Sequence, residues 1–394
     1  MAGGGGQRGD GPEGTDPAAS TPGVDAAIIV APDPPAHAAP PLLRRLGGRT
    51  LLDRAVTVLR QAGVRRVLLA AGPVSGAAIG GEVRRRGLAV TPHPPATTLP
   101  AGRYLLVAGD QVFDTVSIHR LIRETDGALV ATDADLAVLD ATAAGDMLAA
   151  AEYHTRLRDL PTGPPRPARV LADGFTAAAA DEAGARRAER ALWHRYGPKT
   201  TDGLICTYLN RPLSRPVTLA LLRTGLSPDV LTVLSFLVTV AGAVGLAAGA
   251  DGRWWTVLLG GLLVQAGSVL DGIDGEVARI SLRASPRGAL LDTILDRYAD
   301  LAVVAGLVLA AGGAASDWAW GFAAAAASML ISYVNALVPT APRRLLRRDV
   351  RLLVCAVGGV ALVPWWALVV LAVVGNLDVA RVFWSVIRRA AGPT

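Results

Sequence analysis

Cysteine and histidine are scarce in this 394-residue chain, with two of the first and five of the second. Cys206 and Cys355 fall in different halves, so they make neither a disulfide framework nor a metal pair. No histidines stand at ligand spacing on one helix, which argues against a zinc site. The chain is basic, at +6 with a pI near 9.9, yet no aromatic-interleaved basic strip or helix-turn-helix pattern accompanies the charge, so nucleic acid is not the expected partner. The basic residues gather beside apolar segments, where membrane topology and anionic headgroups account for them. Met1 to Val24 has no apolar core behind a basic start; this Gly-, Pro-, Asp- and Ala-rich stretch reads as a disordered tail rather than a signal peptide, and the N-terminus is expected to stay in the cytoplasm. Long uncharged runs are absent before about residue 200. They dominate from Leu226 to Val374, which is where the 51% hydrophobic content and the mean hydropathy of +0.38 are concentrated. A soluble half therefore precedes a membrane half.

In the first half AAIIVAP is a buried-strand run, LLDRAVTVLRQAGV an amphipathic helix and RRVLLAAG a second apolar strand. The pattern continues through YLLVAGD, which ends at Asp110, a helix near Ser117 to Glu124, and GALVATD. Strand, helix and strand in alternation predict a doubly wound, parallel α/β layer over residues 25–180. A charged helix over Asp181 to Tyr196 leads into KTTDGLICTYLNRPLSRPVTLALLRTG, which reads either as a helix lying along a membrane face or as a plain interdomain linker; residues 181–225 are assigned to this connection.

Residues 226–394 form the membrane domain, opened by Ser227 as helix cap and Pro228 in the first turn. Six spans are expected, at 228–249, 254–279, 288–312, 316–338, 346–363 and 365–387, the fifth cut short by Pro364. Lys199, Arg211, Arg215 and Arg223 precede the first span, Arg283 and Arg287 follow the second, Arg343, Arg344, Arg347 and Arg348 precede the fifth, and Arg388 and Arg389 lie in the tail. The opposite loops carry little beyond Arg253, so both termini, the soluble half and the turn between spans two and three are placed in the cytoplasm. Trp254, Trp255, Trp318, Trp320, Trp365 and Trp366 fall at the other interface, as an aromatic belt would.

The chemistry is concentrated in DGIDGEVARISLRASPRGALLDTILD, from Asp271 to Asp296. Asp271 and Asp274 are three apart and Asp292 and Asp296 four apart, so each pair shares a helix face, and the short turn between them makes the helices antiparallel neighbours. Four carboxylates converging at membrane depth repel one another unless cations neutralise them, and Arg279 is not enough. Two divalent ions, Mg²⁺ or Mn²⁺, would do so and would stabilise charge on the attacking and leaving oxygens of a phosphoryl transfer. Gly275 and Gly288 either open the turn to a phosphate or serve packing. Arg279 is on the face of Asp271, as a phosphate ligand or an interfacial anchor.

These residues carry a resemblance. Asp271, Asp274, Gly275, Ala278, Arg279, Gly288, Asp292 and Asp296 match the signature DxxDGxxARx8GxxxDxxxD of the CDP-alcohol phosphotransferase family. The resemblance implies a CDP-alcohol donor, an acceptor hydroxyl that attacks the phosphorus bearing the alcohol, and CMP as leaving group. It implies metal ligation by Asp271, Asp274 and Asp292, with Asp296 near the metals as general base. It also implies a CDP pocket lined by Gly275, Ala278, Arg279 and Gly288, with Thr232 near the cytidine, and a homodimer in the bilayer. Arg348 and Arg351, in the RDVR cluster, are either acceptor ligands or positive-inside charge.

The first half more faintly resembles the sugar-phosphate nucleotidyltransferases, which makes Asp110 a metal ligand there, or a simple turn former. The loop after the first strand, Ala31-Pro32-Asp33-Pro34-Pro35, has no glycine to cradle a triphosphate, so this Rossmann-like domain is expected to be degenerate and inactive. The order of parts is similar to the bifunctional enzymes that make CDP-inositol and condense it with inositol phosphate. A polyol-phosphate acceptor such as inositol phosphate is therefore the first expectation, a phospholipid synthase using CDP-diacylglycerol the second, and an ion-coupled transporter or a membrane scaffold the readings from other classes.

Overall fold

The run AAIIVA folds as β1 (Ala26–Ala31), every residue buried, in a computed structural model that describes residues 23–31, 33–34, 38–94, 98–123, 129–131, 136–150, 168–169, 174–198, 202–337 and 345–390. The expected tail lies outside these residues as far as 22, as do Lys199, Arg343 and Arg344. After β1 come β2 (Arg45–Leu46), β3 (Arg49–Thr50), α1 (Leu51–Gln61), β4 (Val67–Ala71), α2 (Pro73–Arg86), β5 (Thr91–Pro92), β6 (Arg103–Ala108) and β7 (Gln111–Phe113). Next are α3 (Thr115–Arg123), β8 (Leu129–Ala131), β9 (Leu136–Asp140), α4 (Ala141–Ala150), β10 (Ala168–Arg169) and β11 (Thr176–Ala178). The rest is helical: α5 (Glu182–Tyr196), a π-helical turn at Cys206–Asn210, α6 (Arg211–Thr224), α7 (Pro228–Ala247), α8 (Trp254–Ile280), α9 (Pro286–Ala311), α10 (Ala315–Leu337), α11 (Arg348–Val360) and α12 (Pro364–Ala390). Two units result, Met1–Arg44 with Leu51–Asp181, and Arg45–Thr50 with Glu182–Thr394.

In the first unit β5, β4, β1 and β6 lie side by side and parallel; the alternation of strand and helix predicts this for β4, β1 and β6, whereas the two-residue β5 has no apolar run to announce it. The expectation of a wholly parallel sheet fails beyond β6, because β9 is antiparallel to both β6 and β8. Residues 132–135 alone separate β8 from β9, too few for the crossover that a parallel neighbour needs. One face of this sheet packs Ile28, Val30, Leu106 and Leu139 against Met147 and Leu148 of α4.

The second unit buries a core to which six helices contribute, including Leu246 of α7, Val264 of α8, Leu307 of α9, Ala324 of α10, Ala356 of α11 and Leu368 of α12. Among the described residues three helical stretches are long and apolar enough to cross a membrane, Pro228–Asp251, Trp254–Ile280 and Pro364–Arg388. The helix α9 falls outside that group although it has 26 residues, because it carries Asp292, Asp296, Arg297 and Asp300 within three turns. Its neighbour α11 has 13 residues, about 20 Å of helix, and Pro364 opens α12 where its missing N–H is harmless.

The close approach of α7 and α8 depends on Gly260: a Cβ there would lie 2.5 Å from the Leu246 nitrogen and 2.7 Å from the Gly242 oxygen. Gly260→Val must push two backbones apart and is expected to cost about 1–3 kcal/mol, read as a lower melting temperature in detergent. Trp320 and Trp365, at the starts of α10 and α12, meet edge to face with ring centroids 6.4 Å apart, so these two helix starts lie at one end of the unit. Trp254, which opens α8, is 61% exposed, as a side chain facing lipid headgroups would be.

Candidate active site

Spacing places Asp271, Asp274, Gly275, Ala278 and Arg279 along one face of α8. The helix closes through Leu282, at a left-handed φ of 55°, with the Arg283 amide donating to the Ala278 carbonyl at 2.8 Å. Ser285 then caps α9, its Oγ accepting the Gly288 N–H at 3.0 Å, and Pro286 fills the first turn. The Gly288 amide is thus engaged by the cap, and a Cβ on Gly288 would stand 3.1 Å from Asp229 Oδ1. The α9 helix returns alongside with Asp292, Asp296 and Asp300 at successive intervals of four.

Three of the four expected carboxylates meet: Asp271, Asp292 and Asp296 each offer an oxygen within 4.8 Å of the others. Asp274 is outside this trio. It is buried and accepts hydrogen bonds from the Thr232 hydroxyl of α7 and from its neighbour, the Gly275 N–H. Thr232, expected beside the cytidine, contacts Asp274. An all-oxygen set of this kind suits a hard ion such as Mg²⁺ or Mn²⁺.

The charge is balanced from α11 rather than by Arg279. Arg348 reaches Asp271 Oδ2 at 2.6 Å, Asp296 Oδ1 at 2.8 Å and Asp300 Oδ1 at 3.3 Å. One turn on, Arg351 binds Asp300 at 2.9 Å and the Leu346 carbonyl at 3.1 Å. The α9 residue Arg297 lies 3.6 Å from Asp296. Arg279 turns to the C-terminal end of α5, donating to the Tyr196 carbonyl at 2.7 Å and the Gly197 carbonyl at 2.5 Å. Both arginines expected to bind the acceptor are thus engaged with carboxylates.

Two cavities share Asp274, Gly275 and Asp292 as a common wall. One, of about 170 Å³, is bounded by Asp229 and Thr232 of α7, Ala278 and Arg279 of α8, and Arg283 and Gly288 of the following turn. The other, of about 140 Å³, is bounded by Asp202, Asn210, Arg211, Ser268, Asp271 and Arg348. Cys206 also lines it, and burial pushes that thiol up to about 11, so it is a neutral part of the wall.

Sequence reasoning missed Glu276, inside the signature but at one of its open positions. Its carboxylate is fully buried; Arg211, Ser214 and Thr218 of α6 and Trp193 of α5 all donate to it, the last at 3.0 Å. Arg211 in turn holds Asp202 at 2.8 Å. Asp300 was missed too, although its place four residues beyond Asp296 could have disclosed it, whereas no spacing ties Glu276 to α5 and α6. In the first unit Asp110 stands half-buried at the β6–β7 turn, where its backbone carbonyl accepts from Ala179 N–H at 2.8 Å.

Carboxylates from two adjacent helices, set in a unit with helices of membrane length, define a membrane protein with an acidic centre between two cavities. The pattern that describes the CDP-alcohol phosphatidyltransferases matches residues 226–388. A bifunctional IPC transferase and DIPP synthase of Rubrobacter xylanophilus is 32% identical over 403 residues, covering 87% of this chain and 91% of its own length. A phosphatidylinositol phosphate synthase of Mycobacteroides abscessus is 32% identical over 171 residues, 40% of this chain and 73% of its own. The solved phosphatidylinositol phosphate synthase of Mycobacterium tuberculosis, with CDP-DAG bound, is similar at 26% identity over 44% of this chain and 92% of that one, with a TM-score of 0.37. This chain belongs to the CDP-alcohol phosphatidyltransferase family and is a transferase for substituted phosphate groups.

Proposed function

We propose that the chain transfers the phosphoalcohol group of a CDP-alcohol to the hydroxyl of a polyol phosphate, such as inositol phosphate, and releases CMP. The observation that carries this reading is the pair of cavities meeting at Asp274, Gly275 and Asp292, since a transfer between two bound substrates needs both within reach of one acidic centre. The cavity bounded by Thr232, Ala278, Arg279 and Gly288 takes the donor, and the one bounded by Asn210, Arg211 and Arg348 takes the acceptor. Asp271, Asp274, Asp292 and Asp296 would hold two divalent ions, which when bound supply Lewis-acid stabilisation of the phosphoryl oxygens. Asp296 takes the proton of the acceptor hydroxyl; the hydroxyl oxygen bonds to the phosphorus bearing the alcohol, and the bond from that phosphorus to CMP breaks. Arg348 fixes the carboxyl groups of Asp271 and Asp296 from the acceptor side.

All six helices α7 to α12 span the bilayer in this reading, with the first unit and the α8–α9 turn in the cytoplasm and a homodimer as the working form. Apolar side chains beside the donor cavity favour a second donor class: Val233 of α7 and Leu290 and Ile294 of α9 are 41%, 61% and 45% exposed and could lie against the tails of CDP-diacylglycerol. The first unit is read as a degenerate, nucleotidyltransferase-like domain. Supporting this, the Asp33 carboxylate accepts from the Ser75 N–H at 2.7 Å, at the start of α2, so a negative side chain already occupies amides that an anion would use.

The test is to incubate the full-length protein with CDP-inositol, CDP-glycerol or CDP-diacylglycerol, candidate acceptors and Mg²⁺, and to follow CMP. Release is expected with a polyol-phosphate acceptor and is expected to stop when EDTA removes the metal. No pyrophosphate is expected from CTP and inositol phosphate. Absence of CMP with every pair would overturn this choice of donor and acceptor.

A further inference from the structure

The hairpin of β2 and β3 is flanked on both sides by residues of the first unit, yet folds as part of the second. Gly47 and Gly48 turn it with φ of 59° and 81°, the left-handed pair that a two-residue hairpin requires. Leu46 and Thr50 are 2% and 4% exposed, so the hairpin is packed rather than free. Two of its contacts reach segments that run into the donor cavity. A Cβ on Gly48 would lie 2.9 Å from the Leu222 carbonyl oxygen, in the last turn of α6. Arg49 Nη2 donates to the Leu282 carbonyl at 3.5 Å, in the turn joining α8 to α9. A third, from the Gly47 N–H to Glu189 of α5 at 3.4 Å, ties the same hairpin to the helix whose end Arg279 binds.

The segments of Leu222 and Leu282 each lead directly into a wall of the donor cavity. Three residues after Leu222, Gly225 turns the chain into Ser227 and α7, whose first turns supply Asp229 and Thr232 to one wall. Immediately after Leu282 come Arg283, Ala284 and Ser285 of the opposite wall. Arg283 bridges the two by donating to the Gly225 carbonyl at 3.1 Å. Leu282 holds a left-handed conformation in which its Cβ crowds the backbone carbonyl, so the turn needs outside support to keep it.

We infer that the β2–β3 hairpin is a clip that sets the spacing of the two donor-cavity walls, with Gly48 and Arg49 as positioning residues for the CDP-alcohol. The inference rests on the assignment of that cavity to the donor. It gives the chain upstream of residue 226 a part in the transfer that needs no nucleotidyltransferase chemistry: it delivers residues 45–50 to the transferase unit.

The experiment measures CMP release by full-length wild type, Arg49→Ala, Arg49→Lys and Gly48→Val against donor and acceptor concentration in turn, with CMP binding and melting temperature as companion readings. Arg45→Ala, on the exposed side of the hairpin, is the control. Arg49→Ala is expected to raise the donor KM about tenfold and weaken CMP binding in step, with kcat within about twofold and the acceptor KM unchanged. Arg49→Lys should recover part of the loss, Gly48→Val should exceed it, and Arg45→Ala should match wild type. A donor KM unmoved in Arg49→Ala and Gly48→Val overturns the clip, as does a loss of kcat with both KM values constant that tracks the fall in folded protein. A wild type that neither releases nor binds CMP overturns the donor assignment, and the clip with it.

Discussion

Asp296→Asn is expected to slow CMP release by about 10²- to 10⁴-fold while CMP binding survives, because a positioned general base contributes on that order and the amide cannot take the proton. The fold should tolerate the change. Asn has the shape of Asp, and Arg348 keeps Asp271 at 2.6 Å and Asp300 at 3.3 Å when its bond to Asp296 weakens, so no buried cation is left unpaired. The measurement is kcat at saturating donor and acceptor, with CMP affinity and the affinity for Mn²⁺ determined in parallel. Wild-type turnover would remove the base from Asp296. A loss of Mn²⁺ affinity as large as the loss of rate would mean that Asp296 acts through the ions it helps to hold, and would move the base elsewhere.

How far the sequence discloses such a site depends on whether its residues are neighbours along one helix. The signature places Asp271, Asp274, Asp292 and Asp296 on two facing helices by spacing alone, and the structure brings three of them within 4.8 Å. Spacing could not show that Asp274 turns to Thr232, since that contact depends on how α7 packs. The same limit hid the pairing of Arg348 with the aspartates: the sequence offers this arginine as an acceptor ligand or as positive-inside charge, and the packing of α11 aims it at Asp271, Asp296 and Asp300 instead. The first unit illustrates a related limit. Apolar strands and an intervening helix disclose the parallel β1, β4 and β6, but a strand's direction leaves no trace in its hydrophobicity, so the antiparallel β9 was not legible. In α9, the charges that reveal the site are the same charges that lower its hydropathy, so the helix most telling for chemistry is among the less telling for membrane span.

Glu276→Ala is expected to destabilise the protein by about 3–5 kcal/mol, the usual consequence of removing one partner from a buried charged pair. Glu276 is wholly buried, and without its carboxylate Arg211, Ser214, Thr218 and Trp193 lose an acceptor together. The guanidinium keeps its second charged partner, Asp202 at 2.8 Å, so the loss falls on the contacts that hold α5 and α6 to α8. Glu276→Gln separates this support from its charge, since the amide keeps the shape and one acceptor oxygen. The hydroxyls can rotate to meet it, but Arg211 is then drawn toward Asp202. Because Arg211 bounds the cavity proposed for the acceptor, Glu276→Gln should raise the acceptor KM more than the donor KM. Thermal unfolding in detergent and the two KM values check both expectations. A Glu276→Ala protein that melts with wild type would mean that the open position in the signature carries no structural duty. A Glu276→Gln protein with equal shifts in both KM values would mean that its charge acts on the helices and not on the cavity.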